Sequence, residues 1–218
     1  MDKMIKVSVL GSGTVGEILA NGFLTKGYEV MRASRDPKKL EEWRTKAGKK
    51  DTTGTFAEGA KYGDLIVLAV KGTAAESAIK LAGLENLVGK TVIDTTNPIS
   101  DLPPINGVLN FFTDINFSLM EKLQALVPGA HFVKAFSCVG NTFMVDPKFP
   151  GAKPTMFICG NNSPAKKTVV DILTQFGWET ADMGAVEAAR AIEPLCMLWC
   201  IPGFINNQWG HAFKLLKM

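Results

Sequence analysis

The sequence predicts a doubly wound α/β fold, a largely parallel sheet covered by helices on both faces, and two observations carry that prediction. First, the β-branched run Ile5-Lys6-Val7-Ser8-Val9-Leu10 empties into Gly11-Ser12-Gly13-Thr14-Val15-Gly16. A helix follows, with Val15, Ile18, Leu19 and Phe23 on one face. Strand, glycine turn and helix in this order form a dinucleotide-binding fingerprint in its required context. Second, strand and helix patterns alternate along most of the chain, with no internal repeat and no linker long enough to separate independent domains. Such alternation implies parallel strands joined by crossover helices.

Each element has its own signal. Gly27 stops the first helix, and Tyr28 to Ala33 reads as the second strand. Asp36-Pro37 opens a helix as cap and first residue, turning Leu40 and Trp43 inward. Thr55 with Glu58, Thr73 with Glu76 and Ser118 with Glu121 each have the spacing of a capping box. Asp64 to Val70, Lys90 to Asp94 and His131 to Phe136 are apolar runs of buried-strand length. Thr155 to Gly160 is a further strand, Ser163-Pro164 starts the next helix, and Trp178 to Ala181 makes a last strand. From Ala185 onward the pattern is helical, interrupted by Pro194 and Pro202. The expected organisation is a dinucleotide-binding domain over 1–180 and a C-terminal helical segment over 181–218 that covers the active site.

Composition narrows the function classes. A 46% hydrophobic, 21% charged chain is ordinary for a globular protein, and a net charge of +3 with no aromatic-basic interleaving gives no nucleic-acid surface. Met1-Asp2-Lys3 runs straight into the first strand, so no signal peptide is expected. Pro194 to Ile205 falls short of the ~20 residues of a membrane span, so no membrane association is expected. Cys138, Cys159, Cys196 and Cys200 lack zinc-ribbon spacing, and His131 and His211 lie far apart. Reduced thiols in a cytoplasmic protein are the expectation, with Cys196 and Cys200 as small buried residues of a helix.

The glycine turn explains one half of a ligand site. Gly11 permits the tight turn, Gly13 lets backbone approach a pyrophosphate, and Gly16 lets helix and strand pack closely. Amides of Ser12, Thr14 and Val15 at the helix start then hold phosphate. The second strand ends Ala33-Ser34-Arg35-Asp36-Pro37-Lys38-Lys39. An NAD-binding chain usually places an acid here for the ribose hydroxyls, and Asp36 is available. Asp36 is, however, already accounted for as a helix cap beside Pro37. Ser34, Arg35 and Lys39 then converge on the discriminating position, as the 2′-phosphate of NADP requires. Cations at a helix N-terminus are otherwise unfavourable.

The remaining strand ends supply the other half. Ala69-Val70 offers an apolar wall along ribose and nicotinamide, and Asn97-Pro98 a fixed turn for ribose or carboxamide. Ala135 and Ser137 to Val139 complete the edge, with Ser137 and Val139 facing the nicotinamide.

The motifs GSGTVG, ASRDPKK, DTTNP, VKAFSCVGN and the tail IEPLCMLWCIPGFINNQWGHAFKLL together resemble the NADP oxidoreductase, coenzyme F-420-dependent family over nearly the whole chain. The resemblance implies hydride transfer between NADP(H) and a deazaflavin, with the 2′-phosphate held at Ser34, Arg35 and Lys39. The chain is also similar to the reductase domain of ferric reductases, where a flavin replaces the deazaflavin. The family commonly reads KAFNT where this chain has Lys134-Ala135-Phe136-Ser137-Cys138, a change in the surface beside the nicotinamide.

No Ser-His-Asp set, carboxylate pair or metal cluster is legible in the motifs. Hydride transfer to a flavin-type ring needs none, because the cofactors carry the chemistry and the protein orients them. The expected protein is therefore an NADP-dependent oxidoreductase with coenzyme F-420 or a flavin as small-molecule co-substrate, no catalytic side chain, no metal, and a homodimeric state. The alternatives are a non-catalytic NADP(H)-binding redox sensor and a reductase of ferric or other small-molecule acceptors. Asp101 to Thr113, with Pro103-Pro104 and Phe111-Phe112, lacks regular periodicity and reads as a lid. Glu187, Arg190 and Glu193 lie at helical spacing and are expected to pair with one another.

Overall fold

The computed structural model describes residues 5–47 and 51–218, so Met1 to Lys3 lie outside the described residues. Six parallel strands form the main sheet in the order β3-β2-β1-β4-β5-β6. They are β1 (Lys6–Leu10), β2 (Glu29–Ala33), β3 (Asp51–Gly54), β4 (Leu65–Leu68), β5 (Thr91–Asp94) and β6 (His131–Lys134). β7 (Thr155–Ile158) and β8 (Glu179–Asp182) pair in parallel as a separate two-stranded sheet, joined to β6 by the antiparallel bridge Lys134–Cys159.

Helices cover both faces because the strand side chains alternate between two apolar layers. Val7, Val9, Leu65, Val67, Ile93 and Val133 point into one layer, with Leu19 and Phe23 of α1 (Thr14–Thr25), Trp43 of α2 (Glu41–Ala47) and Val169 and Leu173 of α6 (Ser163–Gln175). Leu10, Ile66, Leu68, Val92 and Phe132 point into the other. There they meet α3 (Phe56–Tyr62), α4 (Ala75–Ala82), α5 (Leu119–Leu126) and the first turns of α7 (Ala189–Asn206).

Several expectations change. β3 was not legible, because Asp-Thr-Thr-Gly has no apolar run and its strand character comes from pairing with β2. Thr73 does not cap: a 3₁₀ turn over Gly72–Ala74 comes first, and α4 starts after Ala74 without a side-chain cap. The Thr55–Glu58 and Ser118–Glu121 boxes do form, and Asn162 caps α6. Helix stops at Asn206, where Asn207 takes a left-handed conformation with φ of 54°. The tail then runs beside β7, with Thr155 N donating to Phe213 O and Leu215 N to Thr155 Oγ1. Trp209 and His211 pack on Trp199 from this irregular tail. The helical stretch Val186–Asn206 is 21 residues, long and apolar enough by length and composition to cross a membrane. This helical stretch extends eight residues before Pro194, where the apolar run of the sequence begins. Glu193 within it belongs to a buried ion cluster.

Arg190 and Glu193 do not pair with one another, since each finds a partner on another element. Arg190 Nε donates to Glu121 Oε1 and Oε2 at 3.1 and 3.0 Å. Arg190 and Ser118 hold the Glu121 carboxyl down to about 2 from 4.5, against a smaller opposing effect of burial. A depressed native value contributes stability above the unfolded value and loses it as pH falls. Glu121→Gln is expected to lower stability by about 1 kcal/mol at neutral pH, the order of a capping interaction. In denaturant titrations the gap between variant and parent closes as pH falls from 4.5 toward about 2. A gap independent of pH removes the assignment.

Candidate active site

The sheet order reverses direction between β1 and β4, the switch point where doubly wound sheets bind ligands beyond their carboxyl ends. Hydrogen bonds that continue the ladders past the strands keep those ends in line. Gly11 N donates to Ala33 O, Ala69 N to Leu10 O and Ala135 N to Asp94 O. Gly11 closes the turn at φ of 153°, and a Cβ there would lie 2.0 Å from Ala69 O. Only glycine fits that position. A Cβ on Gly16 would lie 2.7 Å from Gly11 O, the close approach of helix to turn expected from the motif. Gly13 differs: its φ is −80°, so no left-handed conformation is involved, and a Cβ there would meet nothing within 4 Å. Its smallness serves the space outside the protein.

Two cavities meet at that space, and both are lined by Gly13, Ala69, Val70 and Lys71. The cavity on the β2 side, about 300 Å³, is also bounded by Gly11, Ser12, Ser34, Arg35, Asp36 and Lys39. The cavity on the β5 side, about 390 Å³, is also bounded by Thr14, Val15, Thr95, Thr96 and Asn97, and by Ile99 to Asp101. Together they form one trough along the carboxyl edge, from the end of β2 to the end of β5.

The β2 end is cationic. Asp36 is consumed locally, accepting from Lys38 N at 3.2 Å, while Ser34 Oγ accepts from Asp36 N at 3.2 Å. Ser34 Oγ thus keeps its hydrogen for an outside acceptor. Arg35 and Lys39 are exposed, and neither side chain has an ion pair among the described residues. Below the turn, buried Arg32 donates to Gly13 O at 3.3 Å, pairs with Glu17 at 3.4 Å and lies over the Trp43 ring. Burial pulls its guanidinium below the ordinary arginine range, against the pull of Glu17.

The β5 end is quieter. Asn97 Nδ2 donates to Ser137 O at 2.8 Å, while Asn97 Oδ1 and Ser137 Oγ are buried polar atoms without partners among the described residues. Pro98 lies behind the wall, its carbonyl accepting from Phe112 N. Ala135, Ser137 and Val139 line neither cavity: all three are buried, and Ala135 and Val139 belong to the core. The chain turns inward at Phe136, whose φ of 62° reverses the backbone after β6. Ser137 reaches the trough only through its bond with Asn97. Burial pushes the Cys138 thiol up to about 12, so it is neutral and unreactive.

The segment from Ile99 to Phe112 is an ordered hairpin rather than an aperiodic lid. Ile99 bridges Phe111, Ser100 N donates to Asn110 O, and Ile105 and Val108 bond across an Asn106-Gly107 turn with both φ angles positive. Its base walls the β5-side cavity and its tip rests on Ile201 and Ile205 of α7. No residue of α7 lines either cavity; the helix acts on the trough through the hairpin and through Glu193. Lys71, Thr95, Thr96 and the hairpin base were missed as lining residues, because their placement depends on where strands end in three dimensions.

Comparison with known proteins follows this geometry. Residues 6–98 match the family described as NADP oxidoreductase coenzyme F420-dependent. The F420-dependent NADP reductase of Methanocaldococcus jannaschii is 29% identical over 205 residues, 89% of this chain and 90% of that protein. Metalloreductase STEAP3 of Rattus norvegicus is 30% identical over 204 residues, covering 90% of this chain. The chain spans about two fifths of the length of such metalloreductases, 38% for STEAP3. The crystal structure of a provisionally assigned F420-dependent NADP-reductase from Arthrobacter sp. FB24 superposes with a TM-score of 0.91, at 29% identity. That match covers 98% of this chain and all of the other.

Proposed function

We propose, from the match of residues 6–98 to the family described as NADP oxidoreductase coenzyme F420-dependent, that the protein binds NADP(H) along the trough and transfers a hydride between it and a deazaflavin or flavin-type ring. The carrying observation is the juxtaposition of the open space at Gly13 with Arg35 and Lys39, cations without an ion pair among the described residues. The amides at the start of α1 hold the pyrophosphate where a Cβ on Gly13 would stand. Ser34, Arg35 and Lys39 hold a 2′-phosphate, and Ala69, Val70 and Asn97 guide ribose and nicotinamide toward β5. Asn97 Oδ1, partnerless among the described residues, suits a carboxamide, because it would accept from its N–H. The Ser137 carbonyl supports Asn97 from behind by accepting from its Nδ2.

The bound nicotinamide supplies the hydride chemistry. The protein orients it, presents one face to the β5-side cavity and excludes water with the hairpin base at Ile99 and the apolar wall at Val70. No acid or base is needed at the reacting carbon, and among the described residues no group of His, Cys, Asp and Glu is arranged for a metal. We further propose a cytoplasmic homodimer. Exposed Leu102 and Ile105 on the hairpin and Leu198, Phe204 and Ile205 on α7 support the dimer, and four free cysteines support a reducing compartment.

A ferric acceptor is the second reading, favoured by the likeness to the metalloreductases. The deciding assay follows NADPH absorbance with coenzyme F420, FMN, FAD and ferric citrate as separate acceptors. Rapid consumption with a ring acceptor is expected. Consumption with ferric citrate alone favours the second reading, and binding of NADPH without consumption by any acceptor means a sensor.

A further inference from the structure

Behind the β5 end of the trough lie three charged side chains that the proposed transfer does not use. Lys134 of β6, Asp94 of β5 and Glu193 of α7 are each at most 2% exposed. Lys134 Nζ stands 2.7 Å from Asp94 Oδ2 and 2.9 Å from Glu193 Oε1, and donates to Thr96 O at 2.8 Å. The ammonium thus has three oxygens within 3 Å, one of them the Thr96 carbonyl to which it donates. Burial works against this ammonium, but Asp94 and Glu193 outweigh it, so Lys134 stays charged. Cys159 beside it is a neutral thiol, raised to about 12 by burial. Counted formally, two carboxyl groups against one ammonium give the three side chains an excess of acid. The first amides of α5 partly compensate it, with Leu119 N and Met120 N each donating to Glu193 at 3.0 Å.

Stability alone does not call for such a group, because buried ion clusters are often no better than well-packed apolar residues. Its position is informative instead. Asp94 Oδ1 accepts from Thr96 N at 2.9 Å and Thr96 Oγ1 at 2.7 Å, while Lys134 holds the Thr96 carbonyl. Thr96 and Asn97 are themselves cavity wall. The cluster is thus one residue behind the place proposed for the nicotinamide.

We infer that Lys134, Asp94 and Glu193 form a positioning and electrostatic device that favours the oxidised, positively charged nicotinamide over the neutral dihydronicotinamide. In the transfer, the ring C–H bond breaks and both its electrons leave with the hydrogen for the acceptor ring. A pyridinium remains, and buried negative charge in a poorly polarisable surrounding lowers its energy. Asp94 and Lys134 fix Thr96 and hence the direction of Asn97, with Glu193 acting through Lys134. This inference rests on NADP(H) being the ligand.

The test titrates the full chain with NADP⁺ and with NADPH and compares the ratio of the two dissociation constants. Glu193→Gln and Asp94→Asn each remove one negative charge at nearly constant shape. Both are expected to weaken NADP⁺ relative to NADPH by about three- to tenfold, whereas Glu193→Asp keeps the parent ratio. If Glu193→Gln does not fold, Asp94→Asn carries the comparison. Equal loss for both cofactor forms, or an unchanged ratio with binding intact, overturns the electrostatic role and leaves the NADP(H) reading standing. Failure of the parent protein to bind either form overturns that reading and this inference together.

Discussion

Replacing Gly13 by valine abolishes NADP(H) binding, by more than about a hundredfold in dissociation constant, and leaves the protein folded. The backbone at Gly13 is extended, with φ of −80° and ψ of 177°, a conformation valine adopts readily. No protein atom lies within 4 Å of the new Cβ, so nothing in the fold resists it. Gly13 is also the N-cap of α1 without a side-chain cap bond, and a branched apolar residue there costs about 1 kcal/mol in helix stability. A shift of a few degrees in melting temperature is the whole structural penalty. The three added carbons instead fill the junction of the two cavities, the place proposed for the pyrophosphate beside the first amides of the helix. Gly11→Ala is the instructive contrast. Its Cβ would stand 2.0 Å from Ala69 O in a conformation that L residues rarely adopt, so this smaller change disrupts the fold itself. Calorimetric titration of Gly13→Val, with circular dichroism as the folding check, decides the matter. Undiminished affinity in a folded variant means that the turn is structural only.

Replacing Arg35 by alanine weakens NADP binding by about ten- to a hundredfold and changes NAD binding by less than about twofold. A charged hydrogen bond contributes roughly 1.5–3 kcal/mol, and 1.4 kcal/mol corresponds to a factor of ten. Arg35 is exposed and pairs with no acid among the described residues, so its removal costs the fold little. Lys39 and Ser34 remain and set the residual preference for NADP. The loss is salt-dependent, because the contact stands at the protein surface. Parallel titrations with the two cofactors at one ionic strength check it; equal losses for both remove the 2′-phosphate assignment.

Most of the fold was legible because its signals are local. A glycine turn between strand and helix, apolar runs of strand length and two realised capping boxes are properties of short segments. Their alternation implies parallel pairing without further information. What escaped depends on partners distant in sequence. β3 is a strand because β2 lies beside it, and its own four residues do not announce one. Helix α7 stops at Asn206 because Trp209 folds back over Gly203, a contact that no helical periodicity foretells.

The trough divides in the same way. Gly11, Gly13, Ser34, Arg35 and Lys39 were found from spacing, since motif residues follow one another along the chain. The β5 end was read less completely. Sequence adjacency placed Ala135 to Val139 beside the ligand, but the reversal at Phe136 turns them into the core. Lys134, Asp94 and Glu193 come from three elements up to 99 positions apart, and nothing in one-dimensional spacing pairs a strand lysine with an acid on the last helix. A lysine in the middle of an apolar strand run was the one available signal, because a buried ammonium demands partners.

The central claim, direct hydride transfer from NADPH held in this trough to a ring acceptor, is tested most directly with deuterium at the reactive nicotinamide carbon. Incubated with coenzyme F420 or FMN, the labelled cofactor is predicted to deliver its deuterium to the ring, with retention highest for the deazaflavin, where the new C–H bond does not exchange with water. Reduced deazaflavin without the label, formed when control product retains label under the same conditions, contradicts the account.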